Sequence, residues 1–192
     1  MTAKKTNPPL AFGVTGPNAS GKGEVCHFLA EIGFDVHSLS DVIRDEATRR
    51  GLPPEREHLI RLGNEIRATG GAGALAQGIL PRLGRRCVID SIRNPAEVEV
   101  LRELPRFVLI GVQAPVELRF ERSRGRARPG DPGSLDAFQG REEQENSADP
   151  VAQQLNATFA MADYVVENSG GLQDLHARIR AILDQLEISA EV

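Results

Sequence analysis

The 192-residue chain predicts an α/β fold in which a parallel sheet carries helices on both faces. Three observations predict it. Short apolar runs alternate with stretches of helical periodicity along the chain. Those runs are uniformly apolar rather than alternating, as strands buried on both faces must be. The length suits one core and falls short of two ordinary domains. Hydrophobic residues make up 40 % and charged residues 26 %, the balance of a globular protein. A net charge of −4 gives no general basic surface for nucleic acid, and no apolar run approaches the length of a membrane span.

Leu10 to Val14 is an apolar run suited to a buried strand, and a glycine-rich loop follows it. Val25, Phe28, Leu29 and Ile32 recur at helical spacing, and Gly33 ends that helix. Phe34 to His37 reads as a second strand. Ser38 or Ser40 caps a helix running to about Arg50. Pro53 and Pro54 break the chain; Leu59, Leu62 and Ile66 mark another helix, closed by Gly70 and Gly71, and a short helix covers Leu75 to Leu83. Cys87 to Asp90 is a third strand. Asn94, Pro95 and Glu97 form a helix start with a cap, a first-turn proline and a glutamate three residues after the cap. Phe107 to Val112 is the most apolar strand candidate, with a helix from about Pro115.

Residues 125–135 hold three glycines and two prolines and read as a mobile loop. Helical stretches near 136–146 and 150–160 precede a strand at Tyr164, Val165 and Val166. Leu172, Leu175, Ile179, Ile182, Leu183 and Leu186 form the stripe of a last helix. Residues 1–9 read as a disordered lead-in without an export signal. Cys26 and Cys87 lack metal-ligand spacing and read as buried free thiols of a reducing compartment.

Gly16, Pro17, Asn18, Ala19, Ser20, Gly21 and Lys22 fit G-x-x-x-x-G-K, directly after a strand and directly before an amphipathic helix. Glycines let such a loop curl so that its N–H groups face phosphate oxygens, and the helix N-terminus adds partial positive charge. Lys22 then reaches the β- and γ-phosphates of ATP. The chain has twenty arginines and three lysines, of which Lys4 and Lys5 lie in the lead-in. Lys22 is therefore the lysine of the folded part, a compact ammonium where the other cations are planar forks. Residues Gly16 and Asn18 to Glu24 (Asn18, Ala19, Ser20, Gly21, Lys22, Gly23, Glu24) are the expected nucleotide ligands. The Ser or Thr that usually follows the lysine and contacts Mg²⁺ is Gly23 here. Either waters and distant carboxylates hold the metal, or activity is impaired. Glu24 is unfavourable beside a triphosphate unless it points away.

Asp90 ends an apolar strand, where open parallel sheets bind ligands, and it can hold Mg²⁺ through a water. Arg93 can fork onto a phosphate; a capped turn with a solvent arginine is the plainer alternative. Asp41 and Arg44, three residues apart on a helix, read by themselves as a surface ion pair. Arg67 is a further acceptor-side candidate. His37 and His58 read as surface or packing residues. Arg119, Arg122, Arg124, Arg126 and Arg128 fall within ten residues, ahead of Pro129, Gly130, Asp131, Pro132 and Gly133. Alone, such a run is a solvated face or a nucleic-acid patch. Phe120 is its one interleaved aromatic and the chain is acidic, which ranks RNA binding low. Arginines on a closing loop also neutralise a phosphate in transfer and exclude water.

Gly21, Lys22 and Gly23 resemble the glycine–lysine–glycine loop of adenylate kinases and related nucleoside monophosphate kinases, which have a threonine where this chain has Glu24. The segment of Asp41 and Arg44 resembles the stretch after the second strand of that family. The resemblance implies that Arg44 grips the acceptor phosphate and that Asp41 lies near the reacting phosphates or the metal. Asp90 to Arg93 resembles the family's aspartate-to-arginine segment, which is one residue longer and carries a proline. An arginine cluster, then Asp131, then Arg141 resembles the lid of small-molecule P-loop kinases; it implies Arg122, Arg126 and Arg141 at the transition state, Arg122 and Arg126 being interchangeable with their neighbours. Residues 162–170 resemble the last strand and loop of dephospho-CoA kinases. They imply Asn168 and Gly170 beside the donor adenine, mainly through backbone, with a plain turn as the alternative.

The resemblance spans about residues 10 to 186. It implies a P-loop NTPase three-layer α/β/α sandwich with a five-stranded parallel sheet, one domain from residue 10 to 192, an acceptor arm at about 40–86 and a lid at about 122–145. It also implies a cytoplasmic phosphotransferase using ATP and Mg²⁺, with Lys22, Asp41, Asp90, Arg122, Arg126 and Arg141 in catalysis. The acceptor it implies is a small phosphorylated metabolite, first a nucleoside or deoxynucleoside monophosphate and second dephospho-CoA, and neither nucleic acid nor membrane is expected as a partner. Gly23 and Glu24 motivate the alternative of another class, a nucleotide-binding regulator without turnover.

Overall fold

All six residues of the first strand, β1 (Leu10–Thr15), are buried. β1 is the middle of a five-stranded sheet with β2 (Asp35–Ser38), β3 (Arg86–Asp90), β4 (Arg106–Gln113) and β5 (Tyr164–Glu167), in the order β2-β3-β1-β4-β5. Every pairing is parallel. The structure, a computed structural model, describes residues 9–126, 132–144 and 146–189. Its helices are α1 (Lys22–Glu31), α2 (Leu39–Arg49), α3 (Arg56–Gly70), α4 (Ala74–Ile79), α5 (Pro95–Leu101), α6 (Val116–Arg126), α7 (Leu135–Gln144), α8 (Leu155–Ala160) and α9 (Leu172–Gln185). Among the described residues no helix is long and apolar enough to cross a membrane.

The unbroken apolar runs are explained by two cores, one on each face of the sheet. Phe12 and Val14 of β1 and Ile110 and Val112 of β4 point to a core closed by Val25, Phe28 and Leu29 of α1 and by Leu175, Ile179, Ile182 and Leu183 of α9. The intervening residues, Ala11, Ile89 and Leu109, point to the other core, closed by Leu39 of α2, Leu75 and Ile79 of α4 and Val98 and Leu101 of α5. Each large side chain so buried contributes about 1.5–3 kcal/mol.

The elements follow the sequence with local corrections. β2 starts at Asp35, not Phe34, and is not apolar: Asp35 and Val36 are exposed because β2 is an edge strand. Phe34 is buried just ahead of it, its ring centroid 5.3 Å from that of Phe12. The helix expected over Leu75 to Leu83 ends at Ile79 and tightens into a 3₁₀ turn, Leu80–Arg82, because Pro81 has no N–H to continue the α ladder. The helix expected at 150–160 covers only Leu155–Ala160. The cap at Asn94 forms as expected: its side chain accepts from Ala96 N at 2.9 Å, and Glu97 Oε2 accepts from Asn94 N at 3.1 Å. The expected lead-in, apart from Pro9, and the centre of the expected mobile loop lie outside the described residues.

Candidate functional site

The loop between β1 and α1 curls through three positive φ angles, 138° at Gly16, 58° at Ala19 and 105° at Gly21. Two of its glycines are demanded by close approach. A Cβ on Gly16 would lie 2.0 Å from the Val112 carbonyl oxygen, and one on Gly21 would lie 2.1 Å from Asn168 Nδ2. Lys22, the first residue of α1, arches back over the loop, its Nζ donating to the carbonyls of Gly16 and Pro17, both at 2.8 Å.

This loop forms the floor of a cavity of about 860 Å³. Asn18, Ala19, Gly21, Lys22, Gly23 and Glu24 line it, but Gly16 and Ser20 do not. Gly16 is packed under β4, and Ser20 is fully buried with its carbonyl held by Asn168 Nδ2 at 2.8 Å. Glu24 is exposed, so water screens its charge, and the sequence-level objection to it loses force. A Cβ on Gly23 would meet no atom within 4 Å. Behind the loop, the Cys26 thiol is pushed up to about 12, mainly by burial and further by the negative charge of Asp90, with Lys22 opposing.

The opposite walls bring in distant segments. Asp90 closes β3 on the cavity wall, and its Oδ1 is buried without a hydrogen-bond partner among the described residues. Arg122 and Arg126 enter from α6, and Asn168 and Gly170 from the loop after β5. The Asn168 side chain is structural as well as its backbone: it is 6 % exposed and bridges Ser20 to Arg122 Nη2, 3.5 Å away. Leu172 and Leu175 of α9 add apolar wall.

A second cavity of about 410 Å³ adjoins the first. Ser40, Arg44, Ser91 and Arg93 line both and so mark the junction. Leu39, Ile43, Leu59, Ile60 and Leu75 give the second cavity an aliphatic wall, and its charged lining consists of Arg44, Arg67, Arg93 and Arg141. No carboxylate is among its described lining residues.

The predicted residues separate on this geometry. Lys22, Asp90, Arg122 and Arg126 share the first cavity; Arg44 and Arg93 stand at the junction; Arg141 lines the second. Asp41 lines neither: α2 turns Leu39, Ser40 and Ile43 inward, and the Asp41 carboxylate is half exposed, 2.8 Å from Arg44 Nη1. Arg67 reaches the second cavity, but its charge is held by buried Glu97. The arginine run divides by helical phase. Arg119 is buried, Arg124 is exposed with its guanidinium 5.9 Å from the Phe120 ring centroid, and Arg128 and Asp131 lie outside the described residues. Sequence reasoning missed Ser40, Ser91 and Gln153. Ser91 holds φ at 66° and accepts from Ser38 Oγ at 3.0 Å, and no local pattern announces this.

The donor set fits Mg²⁺ held mostly by phosphates and waters. It offers two carboxylates, exposed Glu24 and Asp90, of which Asp90 has a buried unpartnered oxygen, and the described residues contain no cluster of three His, Cys, Asp or Glu able to cage a metal.

Together the loop, sheet order and paired cavities define a P-loop kinase fold. A family profile described as an AAA domain matches residues 15–139. Among solved structures, TT1252 from Thermus thermophilus superposes with a TM-score of 0.63 at 22 % identity, covering 94 % of this chain and 99 % of that one. Shikimate kinase from Bacteroides thetaiotaomicron gives 0.60 at 13 % identity, covering 93 % and 99 %. A gluconokinase from Sinorhizobium meliloti gives 0.56 at 17 %, covering 94 % and 95 %. The UPF0200 protein of Methanoregula boonei is 34 % identical over 181 residues, 92 % of this chain and 97 % of that protein. The UPF0200/UPF0201 protein of Archaeoglobus fulgidus is 35 % identical over 191 residues, 95 % of this chain, which spans 57 % of that longer relative. The chain belongs to the UPF0200 family.

Proposed function

We propose that this protein transfers the terminal phosphate of ATP to a small phosphorylated acceptor, a nucleoside or deoxynucleoside monophosphate being the finer assignment. The observation that carries the proposal is the second cavity, which joins the loop cavity at Arg44 and Arg93 and has arginines but no carboxylate on its described walls. A hydroxyl acceptor must lose a proton during transfer, and kinases that use one place a carboxylate beside it. A phosphate monoester oxygen is already ionised near neutral pH and needs forks to hold it rather than a base. The aliphatic walls suit the apolar faces of a base.

Lys22 and the loop amides hold the donor, and Arg44 and Arg93 fix the acceptor phosphate at the junction. Arg122 and Arg126 from the donor side and Arg141 from the acceptor side meet the charge that develops between them. Asp90 would hold Mg²⁺ through a water, and the metal, when bound, would supply charge neutralisation along the donor phosphates. Asn168 and Gly170, with Leu172 and Leu175, flank the donor end. A cytoplasmic place for this reaction is part of the same reading.

The unpartnered Asp90 oxygen favours a second reading. As a base, Asp90 would serve a hydroxyl acceptor such as dephospho-CoA. Nucleoside and deoxynucleoside monophosphates and dephospho-CoA are to be incubated with ATP and Mg²⁺, following ADP release and identifying each product. A diphosphate from one monophosphate class is expected. Phosphorylation of dephospho-CoA alone would select the second reading. Calorimetric ATP binding with no product from any acceptor would leave a nucleotide-binding regulator.

A further inference from the structure

Arg119 is 7 % exposed and gathers three parts of the chain. Its Nε donates to the Ala114 carbonyl at 2.9 Å, and its Nη1 donates to the Asn18 carbonyl at 3.2 Å. The same Nη1 pairs with the Glu142 carboxylate of α7, and the Phe138 ring centroid lies 5.6 Å from the guanidinium carbon. The Asn18 carbonyl belongs to the peptide unit whose other half is the N–H of Ala19. A trans peptide is planar, so its C=O and N–H point in opposite directions. Holding the carbonyl on Arg119 therefore fixes where the Ala19 N–H aims, and Ala19 lines the loop cavity. A cation on the carbonyl also polarises the peptide and strengthens that N–H as a donor.

The other end of the contact leads to the second cavity. Arg141, next to Glu142, lines it. The Glu142 carbonyl accepts from Asn146 Nδ2 at 3.1 Å, and Asn146 forms an antiparallel bridge with Gln154. Gln154 N donates to the Arg93 carbonyl at 2.8 Å, and Gln153 Oε1 accepts from Arg93 Nη1 at 2.9 Å. The hydrogen bonds thus run from one P-loop peptide to the arginine at the junction of the cavities.

We propose that Arg119 is a positioning residue that orients the Asn18–Ala19 peptide for phosphate, and that Glu142, which touches Arg119 and not the loop, passes its position to Arg141 and Arg93. This rests on the nucleotide-binding reading of the loop and needs no acceptor identity. The planar fork matters because the three oxygens are spread over two guanidinium nitrogens, Nε and Nη1, a spacing that the single nitrogen of an ammonium does not reproduce.

The test uses the full chain with the non-hydrolysable ATP analogue β,γ-imido-ATP and Mg²⁺, comparing wild type, Glu142→Gln and Arg119→Lys. Calorimetry reads affinity, amide hydrogen exchange reads residues 135–144 and 146–156, and melting temperature reads folding. In wild type, analogue binding is expected to slow exchange in both segments. Glu142→Gln should bind the analogue within a few-fold of wild type, melt within a few degrees of it and show no slowing there. Arg119→Lys should weaken binding by about tenfold or more and abolish the slowing. Unaltered protection in Glu142→Gln, or analogue binding to wild type without protection of either segment, overturns the coupling alone. Failure of wild type to bind the analogue overturns both the coupling and the nucleotide-binding reading.

Discussion

Arg67 places two guanidinium nitrogens on one oxygen of Glu97, Nη2 at 2.8 Å and Nε at 3.0 Å, with both side chains buried. The other carboxylate oxygen accepts from the backbone N–H of Arg93 at 2.8 Å and of Asn94 at 3.1 Å. One carboxylate thus closes the cap of α5, anchors the backbone under Arg93 and neutralises an arginine in the wall of the second cavity. Arg67→Ala leaves that charge buried and unpaired, which costs about 3–5 kcal/mol. The expected fall in melting temperature is about 10 °C. Arg67 should matter less for acceptor recognition than Arg93, whose guanidinium stands at the junction of the cavities. Arg93→Ala is expected to weaken the apparent acceptor affinity steeply while ATP affinity holds. Equal loss of both affinities in Arg93→Ala, or an unchanged melting temperature in Arg67→Ala, would contradict these assignments.

Gly21 and Asn168 form a second coupled pair. Gly21→Ala meets two obstacles: φ at 105°, and a Cβ 2.1 Å from Asn168 Nδ2. Asn168→Ala removes the second obstacle but leaves the buried Ser20 carbonyl without this donor, a loss of about 1–3 kcal/mol. The double variant should therefore be less destabilised than the sum of the singles. Urea denaturation of the four proteins measures the coupling, and strict additivity would mean that the side chain does not rest on the glycine.

These pairs also show what the sequence made legible. The phosphate loop was readable because its chemistry is local: glycines, a lysine, a preceding apolar run and a following helix lie within one short segment. The cap at Asn94 was equally local, yet it concealed Glu97, whose role as capping residue accounted for it before Arg67 entered. Arg119 looked like one more arginine of a charged run; its burial depends on Asn18 and Glu142, 101 and 23 residues away. Asp41 was assigned through resemblance, but the phase of α2 keeps it off both cavities. Spacing along one element was recoverable, whereas juxtaposition of separate elements was not.

The buried thiols give a prediction with a defined pH window. Burial, aided by the charge of Asp90, raises Cys26 from the ordinary 9.0 to about 12. Burial, aided by Asp35, raises Cys87 from 9.0 to about 11. A raised folded-state value means that the unfolded chain releases the proton first as pH rises. The stabilising contribution is complete below pH 9 and is lost progressively through about 11 for Cys87 and about 12 for Cys26. Denaturant titrations from pH 8 to 11 should show stability falling above 9, less steeply in Cys26→Ala. At pH 8, a disulfide reagent should label neither thiol faster than the protein opens. Rapid labelling of the native protein would show that the thiols are not sealed.

Gly23 tests whether the departure from the usual loop governs the metal. It is exposed in the first turn of α1, and a Cβ there meets no atom within 4 Å. Gly23→Ala and Gly23→Ser should both fold and gain about 0.5 kcal/mol from reduced backbone freedom in the unfolded chain. Only the serine places a hydroxyl beside Lys22, where P-loops ordinarily meet Mg²⁺. A new metal contact worth about 1 kcal/mol would lower the Mg²⁺ concentration needed for tight nucleotide binding roughly fivefold. The measurement is the affinity for β,γ-imido-ATP across a Mg²⁺ titration in the three proteins. A serine variant that tracks the alanine variant would show that position 23 does not face the metal.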